Sequence, residues 1–570
     1  MKKLMLANEA VARGAYEAGV KVVSSYPGTP STEITEYASK YPEMYTEWAP
    51  NEKVAAEVAV GASIAGARAM TCMKHVGLNV AADPIFTAAY TGVNGGLLVV
   101  VADDPAMHSS QNEQDSRFYA RAAHIPMLEP SDSREAKDFV KLGFEISEKY
   151  DTPVFLRLTT RIAHSQSFVE TGERDERGLK DYQKDVGKYV MMPAMARGRH
   201  LVVESREERL AADANGMRDI NRIEMRSKKL GIVCSGAVYT YVKEATDASI
   251  LKLGMTYPLP MDIIKEFAAR VDELMVIEEL EPIIETEIKA SGIACHGKEI
   301  FGRQGEYSVA LIREKLYGEV SPKSAHTLPA RPPVMCAGCP HRSVFYVINK
   351  LKLTVSGDIG CYTLGALAPL SAMDTCVCMG ASIGISHGFA KAGAPAAQKM
   401  VSVIGDSTFI HSGITGIINA VYNKANITCI ILDNSTTGMT GHQQNPATGK
   451  TITGEPTAQV DLEALVRACG AGSVRVIDAY DMAEMEKALK EETSKDTVSV
   501  IIARRACALL DRRYPPALFI DSEKCRKCKA CLKIGCPAIE NVGGEIRINP
   551  ELCVGCGVCK PLCKFGAIQG

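Results

Sequence analysis

The sequence predicts an α/β, multidomain chain in which doubly wound parallel sheets follow one another and a small cysteine-rich domain closes the C-terminus. Three observations carry this reading. Short, nearly continuous apolar runs alternate with helical patterns over most of the 570 residues, as strands buried on both faces of a parallel sheet require. That length exceeds what one core can organise and suggests three or four domains. Eight of the 19 cysteines fall between Cys525 and Cys563.

Taken in order, residues 1–185 carry KVVSSYP, ARAMTCMKHVG, GGLLVVVADD and DTPVFLRLTTR as strands of a first sheet, with helices between them. Residues 186–229 are charged and irregular and read as a helical or loose linker. A second α/β domain over 230–328 opens with GIVCSGAVYTYVKEA and continues through LGMTYPLP and ELMVIEEL. SAHTLPARPPV marks its end. A third α/β domain over 329–515 has the apolar runs VCMGASIG, MVSVIGDS, ITCIILDN and VSVIIAR, all read as strands. The tail, 516–570, is an internal repeat too small to build a core from side chains alone, so bound metal must replace one.

Composition excludes several classes. A net charge of -2 without a block of one sign gives no reason to expect nucleic acid or an anionic membrane as partner. No run of 18 apolar residues marks a membrane span. The start, MKKLMLANEAVARGAYEAGV, lacks the apolar core of a secretory signal, so a cytoplasmic protein is expected. In that reducing compartment, dense thiols read as metal ligands before disulfides.

The tail spacing is Cys525-x2-Cys528-x2-Cys531-x4-Cys536-Pro537, then Cys553-x2-Cys556-x2-Cys559-x3-Cys563. It follows the bacterial two-cluster ferredoxin, in which the fourth cysteine of each run serves the other cluster. Cys525, Cys528, Cys531 and Cys563 then hold one [4Fe-4S] cube, and Cys553, Cys556, Cys559 and Cys536 the second. Zinc favours two separated Cys pairs per site, so two triplets with distant fourth ligands point to iron. Two departures stand out: four residues rather than three before Cys536, and Lys564 where proline follows the last cysteine. Lys524, Arg526, Lys527, Lys529 and Lys533 surround the first triplet, either as a solvated face or as a docking patch for an acidic external ferredoxin.

In VSVIGDSTFIHSGITGIINAVYNKANITCIILDNSTTGM a strand ends at Gly405-Asp406-Ser407, a helix follows, and the next strand delivers Asn434, 28 positions after Asp406. This resembles the Mg-diphosphate motif of thiamine-diphosphate enzymes. Mg²⁺ takes hard oxygens and bridges the diphosphate. Asp406 and Asn434 are its expected ligands, with the Thr436 carbonyl a third by resemblance, and Gly405 is expected to let the turn approach the phosphates. In that superfamily a glutamate from a separate domain faces the cofactor's pyrimidine, just before a helix with a glycine nine residues on. WAPNEKVAAEVAVG fits with Glu52 and Gly61; Glu57 competes, and two exposed helix glutamates are the bland reading.

YPGTP, WAPNEKVAAEVAVGAS, MKHVGLNVAADP, DDPAMHSSQNEQDSR, CAGCPHR, GDIGCYTLGAL, GDSTFIHSGI, LDNSTTGMTGHQ and the tail together resemble the alpha subunit of the indolepyruvate ferredoxin oxidoreductase family along the whole chain. The resemblance implies that Thr29 in YPGTP contacts the oxoacid carboxylate, although Pro30 and Ser31 also serve as a helix start signal. It implies a third [4Fe-4S] cluster on Cys336, Cys339, Cys361 and Cys507, against the reading that Cys336 and Cys339 only shape a loop and Cys507 is merely small. His75, His411 and His442 are candidate polar groups near the cofactor, although a lone histidine is more often structural.

The implied activity is oxidative decarboxylation of an aryl 2-oxoacid to CO₂ and aryl-acyl-CoA, with thiamine diphosphate and Mg²⁺ as cofactors, CoA as co-substrate, and electrons leaving to ferredoxin. A smaller beta subunit is the implied partner, in an (αβ)2 assembly. Three alternatives stay open: a sister enzyme acting on pyruvate or branched-chain oxoacids, a non-oxidative decarboxylase, and an electron-transfer protein on a degenerate scaffold.

Overall fold

A computed structural model describes residues 1–320, 322, 329, 332–512 and 514–570. The expected boundary at SAHTLPARPPV lies largely outside them. The chain forms two compact units, Met1–His326 and Thr327–Gly570.

In the first unit a seven-stranded sheet has the order Met255–Tyr257, Met127–Leu128, Val154–Thr159, Leu97–Asp103, Ala69–Lys74, Val22–Ser25, Tyr45–Trp48. All neighbours are parallel except the first pair. Strand alternation sorts the core. Leu98, Val100 and Ala102 face helices Ala7–Glu17 and Ser133–Tyr150, while Val99 and Val101 join Met73, Leu78 and Ile85 on the other face. The strand order reverses between Val22–Ser25 and Ala69–Lys74: one leads outward to Tyr45–Trp48, the other inward to Leu97–Asp103. A crevice opens at the carboxyl ends of two such strands, and here those ends carry Tyr26–Pro30 and Lys74–His75.

A second sheet in this unit has the order Glu273–Ile277, Leu230–Ser235, Ser249–Leu253, Arg222–Glu224, the last antiparallel. Buried ion pairs of Arg117 with Glu278 and of Lys252 with Glu135 tie it to the first, and those of Arg157 brace the first from within. Arg117 meets Asp115 at 2.6 Å and Glu278 at 2.5 Å, Arg157 meets Asp103 and Glu129 at 2.7 Å each, and Lys252 meets Glu135 at 2.6 Å.

Two expectations need correction here. LGMTYPLP, read as part of the second sheet, supplies Met255–Tyr257 to the edge of the first. The stretch 186–229, read as a helical or loose linker, is helical over Pro193–Ala214, but it also supplies the strand Arg222–Glu224 to the second sheet. Its Arg206 is buried and donates to the carbonyls of Asp151 at 2.8 Å and Ala89 at 2.9 Å, which packs this stretch into the unit.

The second unit is built on a six-stranded parallel sheet, ordered Thr375–Cys376, Thr354–Gly357, Met400–Gly405, Thr428–Asp433, Ser499–Arg504, Ser473–Asp478. VCMGASIG is not a strand. Only Thr375–Cys376 just before it pairs, and Gly380, at φ +84°, caps the helix Ala381–Lys391. The tail has two short antiparallel pairs, Phe519–Ile520 with Ile568–Gln569 and Ile539–Val542 with Glu545–Ile548. Leu518, Ile534, Ile539, Ile546, Val558 and Ile568 pack among its cysteines as a small apolar cluster. Among the described residues no helix is long and apolar enough to cross a membrane.

Candidate active site and electron-transfer centres

In the second unit Asp406 follows directly on the strand Met400–Gly405, and Asn434 on its neighbour, Thr428–Asp433. Parallel pairing in register brings the two turns together. Asp406 is buried; Oδ1 accepts from Ser407 N at 2.8 Å, and Oδ2 has no hydrogen-bond partner. Burial, and after it the charge of Asp433, pushes the Asp406 carboxyl up to about 8, so this site asks for a cation.

The Asn434 carboxamide lies 3.1 Å from Asp406 Oδ1 and 3.0 Å from the Thr436 carbonyl oxygen, with its oxygen turned toward both acceptors. Turning the amide over would form two hydrogen bonds; three converging oxygens are what a cation selects. Adjacent corners of an octahedron with ~2.1 Å bonds are ~3.0 Å apart, so the spacing fits Mg²⁺. The room that Gly405 leaves on its β-carbon side is filled by the Tyr362 ring, 2.7 Å from where a β-carbon would stand.

A set of thiols adjoins this turn. Cys507 N donates to the Asn434 carbonyl at 2.9 Å, and Cys339 N to the Cys336 carbonyl at 3.1 Å. The Cys361 sulfur lies 3.4 Å from where a β-carbon at Gly438 would stand, and Asn434 Nδ2 lies 3.6 Å from the same point. Burial pushes the Cys339 thiol to about 12 and Cys361 to about 11. Neighbouring thiols add to this, Cys361 and Cys336 on the first, Cys507 and Cys336 on the second. The four candidate ligands therefore feel one another.

In the tail the eight cysteines separate into two pockets. Cys536, Cys553, Cys556 and Cys559 line one together with Cys339; Cys525, Cys528, Cys531 and Cys563 line the other. Among the described residues no three His, Cys, Asp or Glu side chains close tightly enough to hold a single metal ion, so these thiols surround pockets rather than one point. Main-chain N–H groups point at sulfur, Leu518 at Cys553 (3.4 Å) and Ala567 at Cys563 (3.3 Å), which favours thiolates.

One side chain joins the CAGC loop to the tail, and a second braces the loop from the sheet. The Arg342 guanidinium donates to the carbonyls of Met335 and Cys336 on one side and of Ile534 and Gly535 on the other. The extra residue before Cys536 has a use here. Gly535, at φ +67°, sits where a β-carbon would be 2.8 Å from Pro369 and 3.2 Å from Arg342 Nη1. The Tyr480 hydroxyl donates to the Gly338 carbonyl, and Arg505 lies 4.1 Å over its ring.

In the first unit Glu52 is the first residue of helix Glu52–Ile64, whose N-cap Asn51 accepts from Val54 N at 2.9 Å. Glu52 is buried, whereas Glu57 is exposed and ion-paired with Lys53. The Glu52 carboxylate packs on Gly77, where a β-carbon would come within 2.6 Å of Oε1. Gly77 lies in the first turn of helix His75–Thr91, whose N-terminal dipole favours a carboxylate. Gly61, by contrast, faces open space. Thr29 lies in the loop after Val22–Ser25, and its carbonyl accepts from Ser109 Oγ at 3.4 Å. His75 is buried with both ring nitrogens unpartnered, His411 bonds Ser412 Oγ at 2.5 Å, and His442 has a buried, unpartnered Nδ1.

Comparison with known proteins fits this arrangement. The family "Pyruvate flavodoxin/ferredoxin oxidoreductase, thiamine diP-bdg" matches residues 13–229, "Thiamine pyrophosphate enzyme, C-terminal TPP binding domain" matches 358–503, and "4Fe-4S binding domain" matches 546–569. Indolepyruvate oxidoreductase subunit IorA of Archaeoglobus fulgidus is 41% identical over 100% of this chain and 97% of its own. The IorA subunits of Pyrococcus horikoshii and Methanothermobacter thermautotrophicus are each 41% identical over the same shares. The chain belongs to the indolepyruvate oxidoreductase subunit IorA family.

As an IorA-family chain it is an oxidoreductase subunit with thiamine-diphosphate-binding domains and a [4Fe-4S] domain. Three residues at these sites escape sequence reading. Asp358 is fully buried and accepts from the N–H groups of Ile359 (2.9 Å), Gly380 (2.8 Å) and Ser382 (3.0 Å), fixing the loop that carries Cys361. Arg342 and Gly77 act through contacts with residues distant in sequence. The first sits in the quoted CAGCPHR and the second in MKHVG, but neither motif shows what it touches.

Proposed function

We propose that this chain carries the oxidative decarboxylation of aryl 2-oxoacids, of the indolepyruvate and phenylpyruvate type, to aryl-acyl-CoA and CO₂ in the cytoplasm. It does so with a smaller beta subunit, in an (αβ)2 assembly, and hands electrons to an external ferredoxin. Asp406, Asn434 and the Thr436 carbonyl would hold Mg²⁺, which would offset the charge of the cofactor's diphosphate. Glu52 holds the proton at the pyrimidine end of the cofactor. Thiamine diphosphate, when bound, supplies the electron sink that lets the carboxylate leave as CO₂. Thr29 contacts the substrate carboxylate.

The observation that supports this reading best is the bond from Cys507 N–H to the Asn434 carbonyl, with the Asp406 oxygens beside it. It attaches a four-thiol set directly to the Mg²⁺ turn, and Cys339 of that set lines the next pocket. A decarboxylase releasing free aldehyde has no use for such a route. Three cubes follow, on Cys336/Cys339/Cys361/Cys507 and on the two tail quartets, so iron analysis should give about 12 atoms per chain rather than about 8. The deciding experiment is anaerobic purification with the partner subunit and CoA-dependent dye reduction across indolepyruvate, phenylpyruvate and pyruvate. Turnover of pyruvate alone would move the assignment to a sister enzyme, and aldehyde without dye reduction would remove it.

A further inference from the structure

Lys74 closes the strand Ala69–Lys74 at the carboxyl edge where the strand order reverses, and it is only 7% exposed. Its ammonium has neutral partners: Nζ donates to the Ser109 carbonyl at 2.6 Å and reaches Ser109 Oγ at 3.3 Å. Buried Arg117, Arg157 and Lys252 meet carboxylates at Asp115, Asp103 and Glu135, whereas buried Arg206 and Arg342 donate to main-chain carbonyls as Lys74 does. Asp104, whose charge acts on Lys74, already accepts from Ser109 N (2.8 Å), Ser110 Oγ (2.6 Å) and Thr160 Oγ1 (2.6 Å). Burial pulls the Lys74 ammonium down to about 8, against the charge of Asp104, which leaves most of it charged at neutral pH.

A buried ammonium that is not in direct contact with its counter-charge, Asp104, and shares only Ser109 with it, is costly to maintain. Its surroundings show which anion relieves it. Ser109 Oγ reaches the Thr29 carbonyl at 3.4 Å, and the Lys74 β-carbon lies 3.2 Å from where a β-carbon at Gly28 would stand. The ammonium therefore adjoins the Tyr26–Pro30 loop. One positive charge among hydroxyls suits a singly charged carboxylate better than a diphosphate, which draws several cations. We propose that Lys74 is the cation that receives the carboxylate of the 2-oxoacid, working with Thr29. This rests on the reading that the chain acts on 2-oxoacids and adds the residue that makes the acid, rather than the keto group, the recognised feature.

The test uses the complete complex with its partner subunit. Lys74→Gln should raise KM for phenylpyruvate about 10- to 100-fold, the worth of one charge-assisted hydrogen bond, with a smaller change in kcat and unchanged thiamine diphosphate and iron content. Lys74→Arg should recover most of the loss. Competition by phenylacetate, a carboxylate that cannot react, should weaken by a similar factor in Lys74→Gln, while phenylacetamide binding stays as in the wild type. An unchanged KM and unchanged phenylacetate competition, in a complex whose wild type turns over phenylpyruvate, overturn the role of Lys74 and leave the reaction standing. A wild-type complex inactive on every 2-oxoacid removes the reaction itself. Should Lys74→Gln lose its cofactors, Lys74→Arg decides: retained preference for phenylacetate over phenylacetamide supports the proposal, and loss of that preference with cofactors intact overturns it.

Discussion

Replacing Arg342 by methionine keeps the side-chain volume and removes the donor that joins the CAGC loop to the tail. Arg342 is buried and serves four main-chain carbonyls, two of them, Ile534 and Gly535, on the tail side. A hydrogen bond from a charged group contributes about 1.5 kcal/mol at the low end, so the two tail contacts amount to about 3 kcal/mol. Each 1.4 kcal/mol is a factor of ten, and local opening of the turn before Cys536 becomes about 100-fold more frequent. Hydrogen exchange reads this at the amides of Gly535 and Ile539, which bond to the Leu532 and Cys536 carbonyls. Both should exchange about 100-fold faster in Arg342→Met, while Ile430 and Ile501 in the central strands keep their protection. Unchanged exchange at Gly535 and Ile539 would refute the clamp.

Three further outcomes follow from the same geometry. Gly77→Ala places a methyl group 2.6 Å from Glu52 Oε1 and should cost about 100-fold in turnover through misplacement of the carboxylate, with iron content intact; near-normal kcat would show that Glu52 is not the working group. Burial alone would raise the Glu135 carboxyl, but Lys252 and the Ser131 donors outweigh it and hold it at about 2, below its unfolded value; its stabilisation, about 3 kcal/mol, is therefore present above pH ~4.5 and lost as pH falls toward ~2. Urea midpoints at pH 7 and pH 3 should accordingly differ less in Glu135→Gln than in the wild type. Finally, Lys524 and Lys527 are ion-paired with Asp521 and Glu545, whereas among the described residues Arg526, Lys529 and Lys533, around the first cysteine triplet, form no ion pair. Reversing these three should slow reduction of an acidic ferredoxin and flatten its salt dependence without touching dye reduction; an unaltered salt slope would rule out the patch.

Features written as local spacing were legible in the sequence. The tail quartets, the Asp406–Asn434 pair and the apolar runs each depend on a short interval, and register in a parallel sheet does the rest. What the sequence hid depends on long-range contact. Met255–Tyr257 reads as a strand but not as the edge of an earlier sheet, because its partner lies more than a hundred residues upstream. VCMGASIG is apolar enough for a strand, yet Gly380 turns it into a helix start. The motif does not show that Gly405 also makes room for the Tyr362 ring. Glu52 and Glu57 compete in the sequence, where only the Gly61 spacing favours the first, and burial separates them.

Mixing the anaerobic holoenzyme with phenylpyruvate and CoA, while following the visible absorbance of the iron-sulfur chromophores, tests most directly whether carbon chemistry in this chain feeds electrons to its own clusters. The wild type should bleach within a turnover, and Glu52→Gln, with the same iron content, should not. Equal bleaching in both, or none in the wild type, would contradict the account.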